Sequence, residues 1–122
     1  MSYDIAVVNR EFAMTCRKEN IDFGQVLEEN PEIIPDLDES SKNIIKNFLL
    51  FQDNYKIEKV TEKETVFSHK SEKSVQVNLG KKMAFFKSGF SDTWTILSTT
   101  ALLTVEPEAN IMRYDFQDGH WG

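Results

Sequence analysis

The spacing of hydrophobic positions changes several times along the chain. Tyr3 to Val8 ends in an unbroken apolar run, Ile5-Ala6-Val7-Val8. Its β-branched content predicts a strand, and apolar neighbours on consecutive positions place it centrally, with both faces covered. From Glu11 to Asn20 the period lengthens. Phe12, Ala13 and Cys16 fall at helical spacing, with Arg17, Lys18 and Glu19 outside. Asn20-Ile21-Asp22 is a break. Asp22 then caps a turn holding Val26 and Leu27, with Gln25 at the third position of a capping box. Pro31 and Pro35 bracket a rigid connector, which Ile33 and Ile34 tack to the body; the residue before each proline is pushed away from helix.

The clearest helix runs from Asp38 to about Asn54. Asp38 is a good N-cap, and Glu39 suits the positive end of the helix dipole. Ser41, Ile44, Ile45, Phe48, Leu49 and Gln52 repeat every three or four residues, and Phe51 extends the apolar face. Such a helix needs something to cover it. Alternation then takes over. Tyr55 to Lys59, Thr65 to His69, Ser74 to Leu79 and Met83 to Phe86 read as four strands. In the third, Val75, Val77 and Leu79 alternate with Ser74, Gln76 and Asn78, the mark of a half-exposed strand. The short connections favour an antiparallel meander.

Ser91 to Thr104 fits either class. Its many threonines favour sheet. As a helix, capped by Ser91 or Asp92, it would bury Trp94, Leu97, Ala101 and Val105. Helix is the preferred reading, ended by Pro107. A last strand spans Asn110 to Tyr114, with a turn at Asp118-Gly119. The expected architecture is a two-layer α+β domain, residues 1–122. Its mainly antiparallel sheet has about five or six strands, with two or three helices packed on one face.

Charge adds an asymmetry. The chain of 122 residues has a net charge of -6. Residues 1–40 hold ten acids against three bases, residues 56–87 eight lysines against four glutamates, and residues 92–122 five acids against one base. Glu28, Glu29, Glu32, Asp36, Asp38 and Glu39 follow one another with no base between. The acidic balance disfavours nucleic acid, whose binding rests on Lys and Arg contacts to phosphate. It suits a basic protein partner. Lys70, Lys73, Lys81, Lys82 and Lys87 lie near Phe85 and Phe86, but no RNA-reading aromatic motif accompanies them.

The search for chemistry returns little. Cys16 is the single cysteine, which fits a reducing compartment. With only His69 and His120 beside it, the usual structural zinc set is out of reach. Asp36-Leu37-Asp38-Glu39 lacks the glycine and terminal glutamate of a calcium loop. Leu79-Gly80-Lys81-Lys82 lacks the first glycine and the hydroxyl of a P-loop. No cofactor is implied. No apolar stretch reaches the length of a membrane span, and the opening residues lack the pattern of a cleaved leader. Phe90 and Trp94 flank a turn at Gly89. Burial, pinning a helix to the sheet, is the favoured expectation; if exposed, they would anchor a protein interface.

The two ends carry a resemblance. Met1-Ser2-Tyr3-Asp4-Ile5 and Tyr114-Asp115-Phe116-Gln117 with Gly119 resemble the opening and closing segments of a loose group of small bacterial proteins. Phe116 stands where that group usually has proline. Some of its members resemble immunity proteins that neutralise secreted antibacterial toxins. The resemblance implies a compact cytoplasmic inhibitor and supplies no catalytic residues. The leading expectation is a non-enzymatic protein-binding domain of this kind. Its partner-binding candidates are Glu28, Glu29, Glu32, Asp36, Asp38, Glu39, Phe90 and Trp94. The alternatives are a self-associating structural or adaptor domain, forming a homodimer, and a small enzyme without a recognisable motif.

Overall fold

A computed structural model describes residues 2–122. In chain order the elements are β1 (Tyr3–Asn9), α1 (Arg10–Lys18), α2 (Phe23–Glu29), a 3-10 turn (Pro31–Ile33) and α3 (Glu39–Phe51). Then come β2 (Tyr55–Val60), β3 (Glu64–His69), β4 (Gln76–Gly80) and β5 (Ala84–Ser88). A second 3-10 turn (Phe90–Asp92), α4 (Thr93–Thr104), β6 (Ile111–Asp115) and β7 (His120–Trp121) complete the chain. The strands form one antiparallel sheet in the order β2-β3-β4-β5-β1-β6-β7. The domain is therefore mixed α+β, with several helices packed on an antiparallel sheet.

Two details depart from the expectation. The sheet has seven strands, because the turn at Gly119 (φ +66°) sends a two-residue strand back along β6. The helices also divide between its faces. Side chains alternate across a strand, and β1 uses both sides. Ile5 and Val7 join a core with Ile45 and Leu49 of α3 and Ile96 and Leu103 of α4. Ala6 and Val8 join a second core with Ala13 and Cys16 of α1 and Phe23 and Val26 of α2. The apolar run of β1 thus does what its sequence predicts, and that requires helices on both sides.

Local chemistry sets the helix ends. Asn9 Oδ1 accepts from Phe12 N at 3.0 Å, Asp22 Oδ1 from Gly24 N at 3.0 Å and Asp38 Oδ1 from Ser41 N at 2.7 Å. Each side chain satisfies a donor that the first helical turn leaves open. The capping box expected at Gln25 does not form; its amide donates to Glu29, one turn on. Asn20 and Asn54 adopt positive φ values of 56° and 62°, ending α1 and α3 where the sequence predicts breaks.

Phe23 is the centre of the second core. Its ring lies 5.2 Å from Tyr114, 5.2 Å from Trp121, 6.0 Å from Phe116 and 6.4 Å from Phe12. Tyr3 and Asp4 of the opening segment meet the closing segment across the sheet, Tyr3 on the side of the first core. Tyr3 Oη donates to Asp115 Oδ2, and Phe116 N donates to Asp4 O at 3.2 Å. Asp115 Oδ1 also accepts from Gln117 N at 2.8 Å, holding the turn into β7. These residues build one structural corner. Proline at position 116 would lack the donor that Phe116 gives to Asp4.

Candidate functional site

The eight candidate residues fall into two groups at opposite ends of β5. The acidic segment passes the β4–β5 turn, where Leu37 N donates to Lys81 O at 2.9 Å. Phe90 and Trp94 follow the other end of β5. Five residues of strand separate them, about 17 Å. They do not form one site.

Within the acidic group all six carboxylates are exposed, but their tasks differ. Asp36 lies 3.5 Å from Lys81 Nζ and 4.0 Å from Lys82 Nζ. Asp38 caps α3, and the Ser41 amide beside it holds its carboxyl below the ordinary range. Glu39 lies 3.8 Å from Lys42 Nζ within the same helix. These three serve the fold. Glu28, Glu29 and Glu32 meet no cation within ion-pair distance among the described residues. Glu28 and Glu29 occupy the last turn of α2, which carries no base. Backbone carbonyls already make that end negative, so two carboxylates there are unfavourably placed for stability. The three form an acidic ridge that the described residues leave without cations, with Glu29 accepting from the neutral Gln25 amide at 3.1 Å.

The aromatic group overturns the expected burial. Trp94 is 78% exposed and Phe90 50%, the latter edge-on to Tyr3 with centroids 6.3 Å apart. The reason lies in α4. Its sequence, Thr93 to Thr104, contains no charged residue, so polarity alone cannot choose an inner side. The buried positions are Ile96, Thr99, Thr100 and Leu103, while Trp94, Ala101 and Val105 face outward. Threonines can turn inward because their hydroxyls are satisfied. Thr100 Oγ1 donates to Ile96 O at 2.8 Å and accepts from Arg113 at 2.9 Å. Thr99 Oγ1 donates to Asp53 and lies 3.0 Å from Tyr55 Oη. Burial pushes the Tyr55 phenol up to about 12, with Asp53 adding and the Thr99 hydroxyl opposing. Phe51, expected on the buried face of α3, is 79% exposed at its last turn. Ile33 is likewise 53% exposed, leaving Ile34 to hold the connector.

Of the candidate reactive groups, Cys16 is buried and His69 is hydrogen-bonded into a turn. An open cleft of about 560 Å³ is lined by Cys16, Asp22, Tyr114 and His120, among others. Cys16 itself is 1% exposed, and burial, reinforced by Glu19, pushes its thiol pKa up. The thiolate is the nucleophilic form, so this setting opposes activation. His69 lies outside that cleft. Its Nδ1 accepts from Ser71 N at 3.1 Å and Glu72 N at 3.0 Å, and its ring packs edge-on against Tyr55 at 4.9 Å. Among the described residues no group of three or more His, Cys, Asp or Glu could hold a metal ion. No helix there is long and apolar enough to cross a membrane.

No protein-family model matches the chain, and no curated protein is significantly similar to it. Nothing in the sequence distinguished the outward side of α4, because the helix carries no charge to mark it.

Proposed function

We propose that this chain is a non-enzymatic protein-binding domain that engages a basic protein through Glu28, Glu29 and Glu32. A cytoplasmic immunity protein neutralising a toxin is the form of this function that the resemblance of the chain ends favours. The carrying observation is the division of labour among the acids. Asp36, Asp38 and Glu39 have partners in their own fold, whereas Glu28 and Glu29 stand without cations at the negative end of α2, with Glu32 in the 3-10 turn just beyond it. Opposite charge on a partner would relieve that arrangement, steer its approach and select against acidic competitors.

The test replaces the three ridge residues together, Glu28→Gln, Glu29→Gln and Glu32→Gln. Fold stability should hold or rise slightly, since the change removes carboxylates from the wrong end of a helix. Association with the basic partner should slow at least tenfold at low salt and lose most of its salt dependence. A complex equally fast and equally salt-sensitive in the triple variant would remove the ridge from the interface.

Self-association is a second reading. It is favoured by the exposed apolar side of α4, a surface the ridge does not share.

A further inference from the structure

An exposed helix of a globular protein ordinarily shows charged side chains to solvent. α4 has none among its twelve residues, in a chain of which 28% is charged. Its outer side carries Trp94, Ala101 and Leu102, and Val105 continues the stripe just beyond its end. Leu102 is 54% exposed and Val105 75%. Apolar surface gathered in this way marks an interaction site.

We propose that the outer side of α4 binds a second copy of this chain, as an antiparallel helix pair about a two-fold axis passing between Thr99 and Thr100. Symmetry is the first argument. In that pair Trp94 meets Val105 of the other copy and Ser98 meets Ala101, and each match occurs twice. The small residues fall at the crossing point, where packed helices approach to about 8–10 Å. The large residues flank it.

Area is the second argument. The exposed parts of Trp94, Phe90, Leu102 and Val105 amount to roughly 500 Å² per copy, taking about 150–250 Å² for a whole aromatic side chain. A standard stable interface buries about 800 Å² per partner, so this smaller face fits a weak, reversible dimer. Charge is the third. A basic partner would be met by acids, and α4 offers none. Two copies, each at -6, repel, and a neutral face lets them touch without opposing like charges at its centre. Because α2 packs on the other side of the sheet, pairing through α4 leaves both acidic ridges free. The dimer would present two of them.

Sedimentation equilibrium on the full chain, from micromolar to near-millimolar concentration at low and high salt, tests the proposal. The expected result is a monomer–dimer equilibrium rising from 14.1 kDa to twice that mass. High salt should tighten it, since screening weakens repulsion between the two acidic copies. Trp94→Ser and Ser98→Arg should each weaken pairing at least tenfold while leaving the far-UV spectrum of the monomer unchanged and lowering its urea midpoint by less than about 1 M. A chain that stays monomeric throughout overturns the proposal, as does a dimer that survives both substitutions. Loss of pairing leaves the acidic-ridge reading standing, because the ridge variants are read on a different complex.

Discussion

The orientation of α4 can be tested by comparing two substitutions two residues apart. Ile96 is fully buried in the α3–α4 core, whereas Trp94 is 78% exposed. Ile96→Ala removes buried methyl groups and leaves a cavity beneath the helix, costing about 2–5 kcal/mol. Trp94→Ser loses only the packed fifth of its surface. That is about 50 Å² of a large aromatic side chain, or about 1 kcal/mol at ~25 cal/mol/Å². The spacing of Trp94, Leu97, Ala101 and Val105 predicts the reverse order. Urea unfolding, followed by far-UV circular dichroism at low protein concentration to keep the chain monomeric, measures the difference. With a slope of about 1.5 kcal/mol/M, a loss of 3 kcal/mol lowers the midpoint by about 2 M, and the serine variant lowers it by about 0.7 M. Trp94→Ser should also remove the red-edge tryptophan emission and leave the signal of Trp121, which is 8% exposed. A serine variant less stable than the alanine variant would refute this orientation of α4.

Further outcomes follow from the buried polar groups and turns. Thr99→Val should cost about 1–3 kcal/mol by leaving Tyr55 and Asp53 without their shared partner, whereas the same change at the exposed Thr61 site should cost less, both read by urea unfolding. The Tyr55 phenol is raised from 10.0 to about 12, so its contribution to stability is complete below pH 10 and is lost as pH rises toward 12; its absorbance titration should shift down to the ordinary value on unfolding. Asp38→Ala should cost about 0.5–2 kcal/mol through loss of the α3 cap. Because the Asp38 carboxyl is held below its ordinary value, that stability is present above the ordinary pKa of 3.8 and fades as pH falls through the lowered one. Gly119→Ala should cost about 1–2 kcal/mol, since its φ of +66° lies in the left-handed region.

The sequence was most informative where one physical signal dominates. Two-sided burial of β1 followed from four consecutive apolar residues, and the ends of α1 and α3 from Asn20 and Asn54. The faces of β4 followed from strict alternation. It was least informative where signals cancel. α4 is apolar or hydroxylated all round, and only the partners of Thr99 and Thr100, which come from Asp53, Tyr55 and Arg113, reveal its inner side. β2 begins with buried Tyr55, but a bulge between Ile57 and Lys59 breaks the alternation and leaves Ile57 40% exposed. β7 is two residues long, below the length at which a pattern exists. Among the candidate site residues, exposure of the six acids was legible from composition. The capping role of Asp38 was legible too, whereas the pairing of Asp36 was not, because it depends on Lys81 and Lys82 arriving from the β4–β5 turn.

The acidic ridge as a binding surface is tested most directly by parallel affinity capture. The wild-type domain and the Glu28→Gln, Glu29→Gln, Glu32→Gln variant are exposed to the same native proteins at low and high salt. The account predicts one basic protein, bound stoichiometrically by the wild type at low salt, released at high salt, neutralised by the domain in a toxicity assay and absent from the variant. Capture of no basic protein, or of one retained equally by both domains, would contradict it.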